Sequence, residues 1–171
     1  MACSIRNTTL AMLFALGCHG AFAAQDNDDF VEDASAKGVA EVEAGKLALK
    51  EGTAADVKSF ADMMVKDHTL ANTKLKAIAD SKKLAVSDDP QLLDKAKSMI
   101  LELRGAKSFD KAYANNQVKA HEATIKLFED EAANGKDTEL KAFAAETLPK
   151  LKEHLAHAKA LVKTHGGDAA N

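Results

Sequence analysis

Asp56-Val57-Lys58-Ser59-Phe60-Ala61, continued by Met64, His68, Leu75 and Ile78, is the stretch that decides the fold. Val57, Ala61, Met64 and His68 follow one another at steps of four, three and four. That spacing puts them on one face of an α-helix and leaves the lysines and acids on the other. A helix is expected from about Ala54 to Lys83.

The same period recurs outward in both directions. A first helix is expected from Asp28 to Glu51, with Phe30, Ala34, Glu41, Gly45 and Leu49 on one face. A third runs from Ser108 to Asn134, carrying Phe109, Tyr113, Val118, Ile125 and Phe128 in a less regular stripe. A fourth spans Asp137 to Thr164, with Leu140, Ala144, Thr147, Leu151, His154, Ala158 and Leu161 facing inward. Gly52-Thr53 and Gly135 break the chain where helices should end, glycine being common just past a helix terminus. Pro149 lies inside the fourth helix, where the missing N–H should bend it.

Residues 85–105 form a connection with its own short helix, opened by Asp88-Asp89-Pro90 and closed by Arg104-Gly105. Four long amphipathic helices with one long crossover describe an all-α four-helix bundle. A trace of duplication agrees. Asp56-Val57-Lys58-Ser59-Phe60-Ala61 parallels Glu139-Leu140-Lys141-Ala142-Phe143-Ala144, and Phe30, Val39 and Glu43 parallel Phe109, Val118 and Glu122.

Composition supports the class. The 171 residues are 46% hydrophobic but only 5% aromatic, with no Trp and two Pro, and the commonest types are good helix formers. A net charge of −3 argues against a nucleic-acid partner and against a membrane-seeking basic face. No stretch after residue 25 is long and apolar enough to cross a bilayer.

The first residues read as an export leader. Arg6 supplies the positive region, Leu10 to Leu16 the apolar run and Ala21-Phe22-Ala23 the small-residue signature, so cleavage is expected after Ala23 and the mature chain in the periplasm. Leu16-Gly17-Cys18 offers an alternative, a lipoprotein signal acylated on Cys18, although Ala15 stands where that signal favours Leu. Cys3 and Cys18 both precede the expected cut, which leaves the domain from 28 to 164 without a disulfide or a thiol site. Residues 165–171 read as a disordered tail.

The candidate site comes from helix midpoints. His68, His121 and His154 fall near the middle of the second, third and fourth helices, and Glu41 just past the middle of the first. At 1.5 Å per residue each helix is roughly 36–45 Å long, so midpoints coincide whichever way neighbours run. A carboxylate and imidazoles projecting inward from separate helices suit iron, zinc, copper or manganese. Glu43, Asp67 and Glu122 are candidates to orient the rings from behind. Gly38, Ala40, Gly45 and Ala71 leave room around the cluster, and Met63 and Met64 are read as core filling. Two other readings of the four residues stand beside a metal: a hydrogen-bonded polar layer that sets helix register, and a haem or other prosthetic group. His157 and His165 are expected on the surface.

Phe30…Ala34…Gly38-Val39-Ala40-Glu41-Val42-Glu43…Lys46-Leu47-Ala48, followed by Phe60-Ala61…Asp67-His68-Thr69…Leu75, resembles the family named DUF4142, a domain of unknown function. Phe109-Asp110…Tyr113…Gln117…His121-Glu122…Leu127-Phe128 and Phe143-Ala144…Thr147-Leu148-Pro149…Leu151…His154-Leu155 continue the resemblance, which covers about residues 28–162. It implies a ferritin-like bundle exported by bacteria, with Glu41, Asp67, His68, His121 and His154 at positions of the family's recurring motif. Members often carry an outer-membrane label, which the chain's lack of barrel-strand alternation does not support. The chain also departs from ferritins, since none of its four helices carries a Glu-x-x-His pair, and this sets a di-iron oxidase centre aside.

The functional expectations are therefore an exported bundle holding a transition metal, in envelope stress or metal handling, or a metal-free structural or protein-interaction module. A redox enzyme using the metal ranks third, and no Ser–His–Asp, Cys–His or phosphate-loop pattern supports hydrolysis or phosphoryl transfer. Homo-oligomerisation is compatible with either of the first two.

Overall fold

The computed structural model describes residues 27–87, 102–103 and 108–166. The leader, most of the connection with its expected short helix, and the residues after Gly166 lie outside the described residues. Among the described residues four long helices are present: α1 (Asn27–Glu51), α2 (Ala55–Lys82), α3 (Phe109–Asn134) and α4 (Thr138–His165). Each boundary falls within one residue of the expected one. His165 closes α4 rather than beginning a tail, and Gly166 caps the helix in the left-handed region at φ 73°.

α1 packs on α2 and α3 on α4 as two hairpins, and the hairpins meet through α1–α3 and α2–α4 contacts. Side-chain pairs give the directions. Phe30 meets Phe128 and Glu41 meets Gln117, so α1 and α3 run antiparallel. Lys82 with Asp137, Lys74 with Glu146, and Asp56 with His165 make α2 and α4 antiparallel as well. α2 and α3 are then parallel on one diagonal. The chain between them has to return from one end of the bundle to the other, which is the single long crossover of ferritin-like bundles.

Burial follows the helical stripes, with two corrections. Leu49 is 37% exposed, because Leu47 and Ala48 take the core positions of the last turn of α1. Of the glycines expected to free space around the cluster, Gly38 lines the cavity beside it, and both Gly38 and Gly45 let α1 approach α2. A Cβ on Gly38 would lie 1.9 Å from Asn72 Oδ1, and one on Gly45 would lie 2.8 Å from Val65 Cγ2. α4 continues through Pro149, which sits on its exposed face.

The apolar core is divided. One cluster holds Val57, Phe60, Met64, Tyr113, Val118 and Leu161 at the end where α1 turns into α2. The other holds Phe30, Leu75, Phe128, Leu140, Phe143 and Leu151 at the end where α3 turns into α4. Between them the stripes carry Glu41, His68, Gln117, His121 and His154, all buried.

Candidate metal centre

Each histidine of this layer is delivered by the phase of its own helix. His68 lies one turn past Met64 on α2, His121 one turn past Gln117 on α3, and His154 three residues past Leu151 on α4. The rings form a near-equilateral triangle, with centroids 5.6 Å apart for His68–His121, 5.4 Å for His68–His154 and 5.5 Å for His121–His154. One ring nitrogen from each lies within 4.8 Å of those of the other two.

Tautomers follow from the partners. His121 Nδ1 is 2.9 Å from the Gln117 carbonyl, which only accepts, so Nδ1 carries the hydrogen and donates it. His154 Nε2 is 2.9 Å from Asp67 Oδ2 and donates in the same way. The opposite nitrogens, His121 Nε2 and His154 Nδ1, therefore keep their lone pairs, and both are buried without a hydrogen-bond partner, as is His68 Nε2. Three buried rings that each keep a nitrogen without a hydrogen-bond partner are costly in a core. They are also a ready set of metal ligands.

Electrostatics keep His68 and His154 neutral at neutral pH. Burial, reinforced by the neighbouring His121 and His154, pushes the His68 pKa down to about 3. Burial also lowers that of His154, against the opposing pull of Asp67. An imidazole must be neutral to ligate, so this layer holds its lone pairs free where a cation can compete for them.

Glu41 belongs to the layer but not to the triangle. Its Oε2 accepts from Gln117 Nε2 at 2.7 Å. Burial raises its pKa, offset in part by His121, the Gln117 hydrogen bond and Lys37. Asp67 stands where it can orient a ring, on His154. Glu43 and Glu122 do not: both are exposed and tied to lysines, Glu43 to Lys46 at 2.7 Å and Glu122 to Lys159 at 3.0 Å. Their spacing places them on the outer faces of α1 and α3, a correction to the role expected for them. His157 is exposed as expected, while His165 is half-buried against Asp56 at 3.1 Å.

Sequence reading passed over Gln117 and Tyr113 as parts of the layer. Gln117 is fully buried, and the signal for it was its position one turn before His121. Tyr113 lies one turn earlier again, with its hydroxyl buried and unpartnered. Burial and the nearby Glu41 raise its pKa well above the ordinary value. A cavity of about 60 Å³ adjoins the centre, lined by Glu41, Asp67, His68 and His154 on its polar side and by Leu75, Phe128, Phe143 and Leu151 on its apolar side.

The model of the family described as a domain of unknown function, DUF4142, matches residues 18–161. The chain belongs to that family. No curated protein matches this member in sequence. Among solved structures it is similar to CopM in the Cu(II)-bound form, at a TM-score of 0.67 and 11% identity, over 82% of this chain and 97% of that one. At that identity the likeness speaks for the helical fold alone. Among the described residues, no helix is long and apolar enough to cross a membrane.

Proposed function

We propose that this DUF4142 member binds one transition-metal ion through His68, His121 and His154, and serves metal handling in the cell envelope. The carrying observation is three buried histidines that each bring one ring nitrogen within 4.8 Å of the others and each keep a buried ring nitrogen without a partner. In a tetrahedral site, nitrogens about 2.0 Å from an ion lie roughly 3.3 Å apart, so each ring has less than about 1 Å to move inward. Asp67 and the Gln117 carbonyl hold two of the rings from behind, which fixes the tautomer and raises ligand basicity. Imidazole ligands suit copper, zinc and iron, and the Cu(II) form of the structurally similar CopM makes copper the first ion to try.

A layer that only set register would be expected to satisfy its own polar atoms, as the Gln117 amide does for Glu41 Oε2. The orphaned imidazoles favour the metal over that alternative. Export through cleavage after Ala23 is part of the proposal and rests on the leader alone.

The test is elemental analysis of protein taken from the periplasmic fraction, with intact mass measured on the same sample. One ion per chain and a mass beginning at Ala24 are expected, with the ion lost in His68→Ala and His154→Ala. Wild-type protein that stays metal-free after incubation with copper, zinc, iron and manganese sinks the reading. A lipid mass on Cys18 replaces a free periplasmic protein with an anchored one.

A further inference from the structure

Three imidazoles leave a bound ion short of a full shell, and the cavity beside them shows what fits there. Resting on the metal reading above, we infer that the ion takes an exogenous anion of two or three heavy atoms from this cavity.

Charge asks for it. A divalent ion on three neutral imidazoles brings two positive charges to a cavity whose wall already holds Lys37 and Lys150, against the carboxylates of Glu41 and Asp67. Glu41 is also already engaged with Gln117 at 2.7 Å. Of the two lysines in the wall, Lys150 is paired with Glu153 at 2.9 Å and Asp67 at 3.7 Å, which leaves Lys37 to favour an anion arriving from solvent.

Size and polarity narrow the class. The cavity measures about 60 Å³, and a single water needs roughly 10–15 Å³ of such space. A few waters or one short anion fill it. Leu75, Phe128, Phe143 and Leu151 offer no hydrogen bonds to the four oxygens of a phosphate or sulfate. Thr124 and Thr147, the hydroxyls in the wall, spend their hydrogens on the Ala120 and Phe143 carbonyls. The donors left in the wall are the Asn72 amide and the Lys37 and Lys150 ammonium groups, while the opposite side is apolar, so a compact anion that bonds the ion at one end fits the space best, and azide is a convenient probe of it.

Copper(II)-loaded protein is titrated with azide and separately with phosphate, following the azide-to-copper charge-transfer absorption and the copper electron paramagnetic resonance spectrum. Azide should give a saturable band and a changed spectrum, and phosphate should change neither. Ala71→Leu, which fills the cavity from α2, should keep its copper and weaken azide at least about tenfold. Lys37→Gln, a substitution without a packing role, should weaken azide about two- to fivefold. A copper-loaded protein silent toward azide overturns the inference and leaves the metal centre standing. Phosphate that binds as well as azide overturns it too, and so does wild-type azide affinity in Ala71→Leu. Should that variant misfold, unchanged affinity in Lys37→Gln decides against it. Protein that takes up no metal overturns both readings together.

Discussion

His68 is the residue on which the stability of the metal-free protein turns. Its pKa falls from the ordinary 6.5 to about 3, so between those values the unfolded chain binds a proton that the native state refuses. The unfolded state then gains stability as pH drops, and the protein loses about 1.4 kcal/mol per pH unit from this group across that window. His154, also lowered by burial, acts in the same direction. Glu41 and Glu131, whose burial raises their pKa, act oppositely and favour the folded state as they protonate. A comparison with His68→Leu isolates the histidine: chelator-treated wild type should lose melting temperature faster than the variant from pH 6.5 downward. Parallel curves would show that His68 does not stay neutral in the native state. The histidines were legible in the sequence because mid-helix position and stripe phase both follow from spacing. Gln117 was not, since one buried amide among the polar residues of α3 carries no period of its own.

Helix ends show the opposite balance between local and distant causes. Ser108 and Asp137 cap α3 and α4 from their own sequence, Asp137 accepting from the Glu139 and Leu140 amides at 3.0 and 3.1 Å. α2 starts at Ala54, which has no capping side chain. Asp110, from the first turn of α3, does that work: it accepts from the Thr53 amide at 3.0 Å, the Ala54 amide at 3.0 Å and the Thr53 hydroxyl. Burial pushes its carboxyl up, but those hydrogen bonds and His165 hold it below the ordinary value. Asp110→Ala should therefore cost about 1–3 kcal/mol at pH 7, by stripping a helix start and a tie between the hairpins at once. The penalty should shrink as pH falls below about 4, where the unfolded chain takes up a proton that the native carboxylate refuses until lower pH. Urea unfolding at the two pH values checks this, and an equal penalty at both would mean that the charge is not what caps α2. Two terminators were placed correctly from sequence for a reason the structure revises. Gly135 ends α3 with φ −54°, outside the left-handed region, and is glycine because a Cβ would sit 2.1 Å from Glu131 Oε1. Besides Gly166, a left-handed cap falls on Lys83 of α2, at φ 59°, where no glycine announced it.

At the scale of the molecule, the polar layer lies where the two hairpins must be held together. His68 comes from the α1–α2 hairpin, His121 and His154 from the α3–α4 hairpin, and the apolar core is split above and below them. The internal duplication does not extend to the ligands. The Phe60 stretch parallels the Phe143 stretch in sequence, but the position that then matches His154 in the first hairpin is Ala71, which lines the cavity instead. One hairpin thus gives one ligand and the open space, the other gives two ligands. An ion bound there bridges the halves and binds only the folded state, because the unfolded chain does not bring the three rings together. Linkage then sets the effect: free metal at about 100 times its Kd stabilises by about 2.7 kcal/mol. For a domain of this size that corresponds to a rise of roughly 5–11 °C in Tm. Protection of backbone amides from hydrogen exchange should increase in both hairpins together, since the ion cannot hold one without the other. His121→Ala should abolish both responses. A rise in Tm that persists in that variant would place the ion elsewhere, on surface carboxylates that stabilise without joining the hairpins.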